Sequence, residues 1–315
     1  MQITLIGRTN TLLDIAKYLY ESGIEIPIII TTDPADYDQE SSDKFKIFAK
    51  KIKSKFIYTS KLDDKQIINI ILQSKCNLAV SMNWPTLIKK SFIDLFPKGI
   101  INIHPGDLPK YRGNATVNWA ILNDEKRIGL TLHLMNEKLD EGPIVNKIFF
   151  NTNKNTYVGE VYDWIKNKAP DLVLQSIINL NNNSISLLNQ KDTKIKSLRC
   201  YPRKPEDSQI VWGKSNIEIH KLIRASSKPF LGAYSFISSN NKKVIIWKAD
   251  IVDNNYNYLA VPGQVCYVEN NYPIIATGKG LIKIINAEIE NKSNEDSIKL
   301  IYSSLRNRLI FKYNY

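Results

Sequence analysis

Histidine is the side chain whose ordinary pKa lets it trade a proton near neutral pH, and His104 stands two residues after an amide in Ile101-Asn102-Ile103-His104. Strand alternation puts Ile101 and Ile103 on one face and Asn102 and His104 together on the other, roughly 6.5 Å apart. Asn102 offers an N–H to charge developing on a carbonyl oxygen, worth about 3 kcal/mol when aligned. Asp140, just ahead of Gly142 and Pro143, supplies a carboxylate that can orient or charge-stabilise the imidazole or take a proton through water. This trio fits acyl transfer without a covalent enzyme intermediate, and a substrate amine is the expected nucleophile because the strand holds no Ser or Cys. From pattern alone, a lone strand histidine is more often a satisfied structural residue than a catalytic one. That reading is favoured for His133 and His220, although His133 can border the site from a neighbouring strand. No second His, Cys or carboxylate stands at ligand spacing from His104, so no metal is expected.

The elements around these residues must hold them at a strand end. Pro105 has no N–H for a central ladder and Gly106 relaxes the backbone, so the strand stops after His104, where open α/β sheets bind their ligands. Upstream, strands are expected at residues 2–6, 26–30, 56–59 and 77–81, alternating with helices at 11–20, 44–53, 64–74 and 87–96. The alternation predicts an α/β fold with a doubly wound, mostly parallel, Rossmann-like sheet. The first turn, Gly7-Arg8-Thr9-Asn10-Thr11, has one glycine and so lacks the glycine pattern that lets a backbone approach a pyrophosphate. Its helix N-terminus can still attract an anion, with Arg8 in support. Further on, a helix at 117–122, strands at 128–135 and 145–150, and helices at 158–166 and 172–180 are expected. A polar stretch at 181–197 marks a boundary. A helix at 217–225, strands at 244–249, 263–268, 274–276 and 281–285, and a helix at 297–305 then read as a smaller C-terminal β domain of OB type. The expected division is a catalytic domain at 1–190, a linker at 191–207 and an OB-like domain at 208–315.

A chain of 315 residues, 43% apolar, has material for two cores. It has no 18-residue apolar run and opens in a strand-like segment, so a soluble cytoplasmic protein without a membrane partner is expected. Cys76, Cys200 and Cys266 are isolated, which suits reduced thiols rather than disulfides. The net charge of +12 raises the question of nucleic acid, but lysines are spread over nearly every segment. Residues 33–43 carry Asp33, Asp36, Asp38, Glu40 and Asp43 with no basic residue. The charge also suits a small phosphorylated substrate.

The segments Asn102-Ile103-His104-Pro105, Leu108-Pro109-Lys110-Tyr111-Arg112-Gly113 and Leu139-Asp140-Glu141-Gly142-Pro143-Ile144 resemble the folate-dependent formyltransferases. The resemblance implies N10-formyltetrahydrofolate as donor, Asn102, His104 and Asp140 as catalytic residues, and an unprotonated amine attacking the formyl carbon. It implies a folate cleft bordered by Met82, Asn83, Trp84, Pro85, Thr86 and Leu87 and by the backbone at Leu139 and Asp140. On the acceptor side, Arg8, Thr9, Asn10, Asp107, Lys110 and Tyr111 are the expected contacts. Residues 203–208, Ile210-Val211-Trp212, Leu222-Ile223-Arg224-Ala225, Pro229 and Gly232-Ala233 are similar to the second domain shared by methionyl-tRNA formyltransferases and their sugar-modifying relatives.

Departures from the tRNA enzymes are informative. Those enzymes usually continue Pro-Ser-Leu-Leu-Pro after the histidine and then Arg-Gly-Ala-Ala-Pro, whereas this chain has Pro105-Gly106-Asp107-Leu108-Pro109 and Arg112-Gly113-Asn114-Ala115-Thr116. Where they carry a basic insertion, this chain has the acidic 33–43 segment, which would repel an acceptor stem. The chain looks more like the sugar-nucleotide N-formyltransferases. The implied acceptor is a nucleotide-linked amino-dideoxy sugar, with a dTDP-4-amino-4,6-dideoxyhexose for surface polysaccharide and O-antigen (lipopolysaccharide) synthesis as the leading case. A methionyl-tRNA acceptor, other amines such as glycinamide ribonucleotide, and a non-catalytic nucleotide- or RNA-binding module stay open as alternatives, as does a homodimer.

Overall fold

The computed structural model describes residues 1–34, 41–253 and 258–312. The chain divides into two compact units, one of residues 1–116, 127–151 and 162–201 and the other of 117–126, 152–161 and 202–315. Among the described residues, no helix is long and apolar enough to cross a membrane.

In the first unit the chain runs β1 (Gln2–Gly7), α1 (Asn10–Glu21), β2 (Glu25–Thr31), α2 (Ser41–Lys51), β3 (Lys55–Tyr58), α3 (Lys65–Ser74), β4 (Leu78–Met82), α4 (Lys90–Ile93) and β5 (Ile100–His104). β6 (Tyr111–Gly113), α5 (Thr116–Leu122), β7 (Arg127–Leu134), β8 (Ile144–Asn151), α6 (Val158–Asn181) and β9 (Leu198–Cys200) follow, with α5 after Thr116 and the first four residues of α6 counted in the second unit. The seven-stranded sheet has the order β3-β2-β1-β4-β5-β7-β8. The first five strands in that order are parallel, β7 adds antiparallel to β5, and β8 adds antiparallel to β7. This is the α/β sheet that the alternating pattern predicts. Its central strands are buried on both faces, so β4 reads Leu78-Ala79-Val80-Ser81-Met82 with every residue buried. Strand order reverses between β1 and β4, and the carboxyl ends there form the crevice position of such folds.

Several local expectations change. The helix expected at 87–96 shrinks to α4, because Lys89 provides no side-chain cap and the chain then closes in i→i+3 turns from Leu95 to Phe92 and from Phe96 to Ile93. The helices expected at 158–166 and 172–180 are one helix, α6, with Pro170 inside. Ala169, Leu172, Val173 and Ile177 continue a single buried stripe across the proline, so burial outweighs the lost N–H. The polar stretch at 181–197 is not a bare connection, for it carries a 3-10 turn, Gln190–Asp192, and leads into β9, which pairs in parallel with β6.

In the second unit α7 (Asn216–Ser226) starts at a capping box in which Ser215 and Glu218 exchange hydrogen bonds. The strands are β10 (Ala233–Ile237), β11 (Lys243–Val252), β12 (Val265–Glu269), β13 (Tyr272–Ala276) and β14 (Leu281–Glu288), followed by α8 (Asn294–Tyr302) and β15 (Leu309–Ile310). They form an antiparallel sheet in the order β12-β13-β14-β11-β10-β15. A Gln264–Arg308 bridge and the Leu309 N–H on the Gly263 carbonyl (2.8 Å) tie its two edges together. This closure, which leaves no free edge there, encloses Trp212, Ile219, Ile246, Ile282 and Ile298.

Candidate active site

The site begins at the carboxyl end of β5. The strand ends at His104, and Ile101 and Ile103 are buried on the opposite face. Gly106 is needed beside it, because a Cβ there would collide with the His104 ring and the Tyr111 carbonyl. The chain returns so that the His104 Nε2–H donates to that carbonyl at 2.6 Å. A carbonyl only accepts, so the proton sits on Nε2 and the neutral ring presents a lone pair at Nδ1. That atom faces Asp140 Oδ2 at 3.5 Å.

Asp140 lies 36 residues further on in the turn between β7 and β8, at the left-handed φ of +50°. Its Oδ2 accepts the Gly113 N–H at 2.8 Å and its Oδ1 accepts the Asn102 amide at 3.5 Å. The three predicted catalytic side chains therefore converge, all of them buried or half-buried. Burial pushes the Asp140 carboxyl upward, but the His104 and His133 imidazoles and the Gly113 N–H outweigh it and hold the group below the usual carboxylate range. For His104, burial is the largest influence and lowers its pKa, against the opposing pull of Asp140 and the Tyr111 carbonyl. The resting pair is an ionised carboxylate beside a neutral imidazole.

His133, read above as structural, is part of this cluster. It pairs across the sheet with Asn102, and its Nε2 lies 3.1 Å from the Asn102 amide nitrogen and 3.4 Å from Asp140 Oδ1. Its Nδ1 lies 3.1 Å from the Leu134 carbonyl, which fixes the ring proton there and leaves Nε2 to accept from Asn102. The signal available in sequence was the alternation Thr131, His133 on β7. Only the antiparallel β5–β7 pairing turns it into a contact.

The remaining predicted residues fall into two groups. Arg8 donates from Nε to the Asn83 carbonyl (3.1 Å) and from Nη1 to the Asp33 carbonyl (3.4 Å), and Thr9 caps α1 by accepting the Leu12 N–H. Arg8, Thr9, Asn10 and Asn83 thus gather at the strand-order reversal. Met82 is buried and Trp84 half-buried, with its indole N–H on Thr86 (3.1 Å). The segment from Met82 follows Ser81, the β4 partner of Asn102. Beyond it a cavity of about 420 Å³ is lined by Leu87 to Ser91 and Glu137, and includes none of the catalytic side chains. Leu139 is half-buried beside Asp140. Asp107 is taken up by Lys147 (2.7 Å), which also donates to the Leu108 carbonyl (2.7 Å), so its carboxylate holds the loop after His104. Tyr111 serves through its carbonyl, and the Lys110 ammonium lies over the Tyr111 ring at 5.5 Å. Asp36, Asp38 and Glu40 of the acidic segment lie outside the described residues. No group of three or more potential metal ligands occurs among the described residues.

Residues 1–177 match the family described as formyl transferase, and residues 203–302 match the formyl transferase C-terminal domain. The chain belongs to the formyl transferase family. This formyltransferase is 30% identical over 302 residues to a bifunctional polymyxin resistance protein ArnA from Wigglesworthia glossinidia brevipalpis, covering 90% of the chain but only 43% of that relative. It is 27% identical to a methionyl-tRNA formyltransferase from Alkaliphilus oremlandii, over 93% of each protein. Its fold is similar to the solved structure of WlaRD, a sugar 3N-formyl transferase, determined in the presence of dTDP and 5-N-formyl-THF. The TM-score is 0.67 at 24% identity, covering 93% of this chain and 99% of that one. An N-formyltransferase from Helicobacter canadensis, in complex with folinic acid and dTDP-3-aminofucose, gives a TM-score of 0.65 at 21% identity, covering 90% of this chain and 98% of that one.

Proposed function

We propose that this formyltransferase moves a formyl group from N10-formyltetrahydrofolate to the amino group of a nucleotide-linked amino-dideoxy sugar. The observation that carries the chemistry is the convergence of Asn102, His104 and His133 on the Asp140 carboxylate, each within 3.5 Å. The donor supplies an activated formyl carbon. Of the two Asn102 N–H groups, one is held by His133 and the other makes only a long 3.5 Å contact with Asp140 Oδ1; the latter turns to the negative charge developing on the formyl oxygen. As the amine nitrogen bonds to that carbon it must shed a proton. His104 Nδ1 is the vacant base, and protonation there lets both ring N–H groups donate, one to Asp140 and one to the Tyr111 carbonyl. Asp140 stabilises the imidazolium so formed, and the same proton can pass on to the departing nitrogen. Half-buried Trp84 and exposed Leu87 offer apolar surface to a flat donor, on the segment that follows the β4 partner of Asn102. Cytoplasmic location and use of the product in surface polysaccharide belong to the same proposal.

The sugar-nucleotide acceptor is supported by the likeness in fold, along nearly the whole of each solved chain, to a sugar 3N-formyl transferase determined with dTDP and an N-formyltransferase determined with dTDP-3-aminofucose, and by the acidic character of residues 33–43. Those structures concern 3-amino sugars, so the 3-amino isomer stands beside the 4-amino sugar expected from sequence. Methionyl-tRNA is the second reading, favoured by the likeness to the Alkaliphilus enzyme along nearly its whole length. The test is to supply N10-formyltetrahydrofolate with a panel of 3-amino and 4-amino sugar nucleotides and to follow tetrahydrofolate release. Turnover on a sugar nucleotide is expected. Formylation of Met-tRNA with none on any sugar nucleotide would reverse the proposal.

A further inference from the structure

The polar segment after α6 sends one side chain into the catalytic cluster's support. Gln190 is 2% exposed. Its Nε2 donates to the carbonyls of Asp140 (2.8 Å) and Gly142 (2.7 Å), and its Oε1 accepts from Arg112 Nε (3.1 Å) and Nη2 (2.7 Å). A side-chain amide has two N–H donors and a carbonyl with two lone pairs, so every one is used and the amide has only one workable orientation. The two carbonyls it grips flank the catalytic turn, whose Asp140 sits in the left-handed region that a residue with a Cβ adopts only when its surroundings demand it. Gly142 adds a second constraint, since any Cβ there would overlap the Leu134 carbonyl. Arg112 fastens the same turn again through Glu141 (Nη1 to Oε1, 3.1 Å). The segment bearing Gln190 is itself anchored, because Leu188 and Ile144 exchange backbone hydrogen bonds of 2.8 and 2.9 Å. All these residues belong to one compact unit.

We infer that Gln190, backed by Arg112, is a positioning residue for formyl transfer, locking the turn that aims the Asp140 carboxylate at His104 and Asn102. The inference rests on the formyl-transfer reading for its kinetic test only. Gln190→Glu keeps the side-chain length and the Arg112 contacts but removes both N–H donors, and it turns a carboxylate toward two carbonyls. Turnover should fall about 100-fold, as for a misplacement of roughly 1 Å, with KM for donor and acceptor within about threefold. Lys191→Ala, next door and exposed, should keep the normal rate.

An NMR titration of the histidines in ligand-free protein gives a readout that needs no turnover. In Gln190→Leu, which adds no charge, the His104 midpoint should drop below that of the unsubstituted protein, because the carboxylate that favours its charged form has moved away. Normal turnover in Gln190→Glu, or an unmoved His104 midpoint in Gln190→Leu, would overturn the inference. If no amine is formylated by the unsubstituted protein, the functional reading fails while the titration still decides the role of Gln190. If Gln190→Leu does not fold, the uncharged Gln190→Met is titrated in its place.

Discussion

At the scale of single residues, the cluster divides the work between a donor, a base and a fixed charge. His104→Asn and Asp140→Asn should each lower kcat by about 100-fold or more while changing donor affinity only a few-fold, because both groups act mainly once charge has moved. Equal losses in rate and affinity, measured by steady-state kinetics and folate binding, would assign them a structural part instead. Burial depresses the His104 pKa, so the neutral, competent ring persists below the ordinary imidazole range. Once divided by the fraction of acceptor amine left unprotonated, the rate should stay level as pH falls through about 6.5 and decline only at lower pH. His104→Asn should lose that acid limb, a difference visible in the pH profile of kcat/KM.

At the scale of elements, the loop between β5 and β6 is held by a partly buried ion pair. Lys147, on β8, binds Asp107 at 2.7 Å, and Arg127 stands 3.7 Å from the same carboxylate. Lys147→Met strips the nearer cation and the donor to the Leu108 carbonyl. The cost should be on the order of 2 kcal/mol, between exposed and buried pairs, read from the urea midpoint with an unchanged slope. On α7, burial and the neighbouring Arg224 lower the His220 pKa to about 4. The unfolded chain then binds the proton first, so His220 contributes stability above about pH 6.5 that is lost as pH falls toward 4, on the order of 3 kcal/mol. His220→Gln should flatten the stability profile across that window in urea titrations at several pH values.

At the scale of the whole molecule, a charge of +12 separates the two acceptor readings. A sugar nucleotide makes few ion contacts, so KM should rise gently with salt, whereas an RNA acceptor engaged at many phosphates loses affinity steeply, with a log–log slope of about 0.7–0.9 per contact. A steep slope with Met-tRNA as the working acceptor would favour the second reading. The parallel sheet, the strand stop at His104 and the shared face of Asn102 and His104 were legible in the sequence, because period-2 alternation, Pro105 and Gly106 act through the backbone of neighbouring residues. The single helix through Pro170 was not, since burial of a stripe overrode a local breaker. Nor were the parts of His133 and Gln190, which depend on β7 lying antiparallel beside β5 and on a segment that reads as a polar connection folding back under Asp140. Local spacing thus determined which chemical groups stand at the strand end. Strand order and a left-handed turn, set by contacts between residues 27 to 50 positions apart, decided which of them meet.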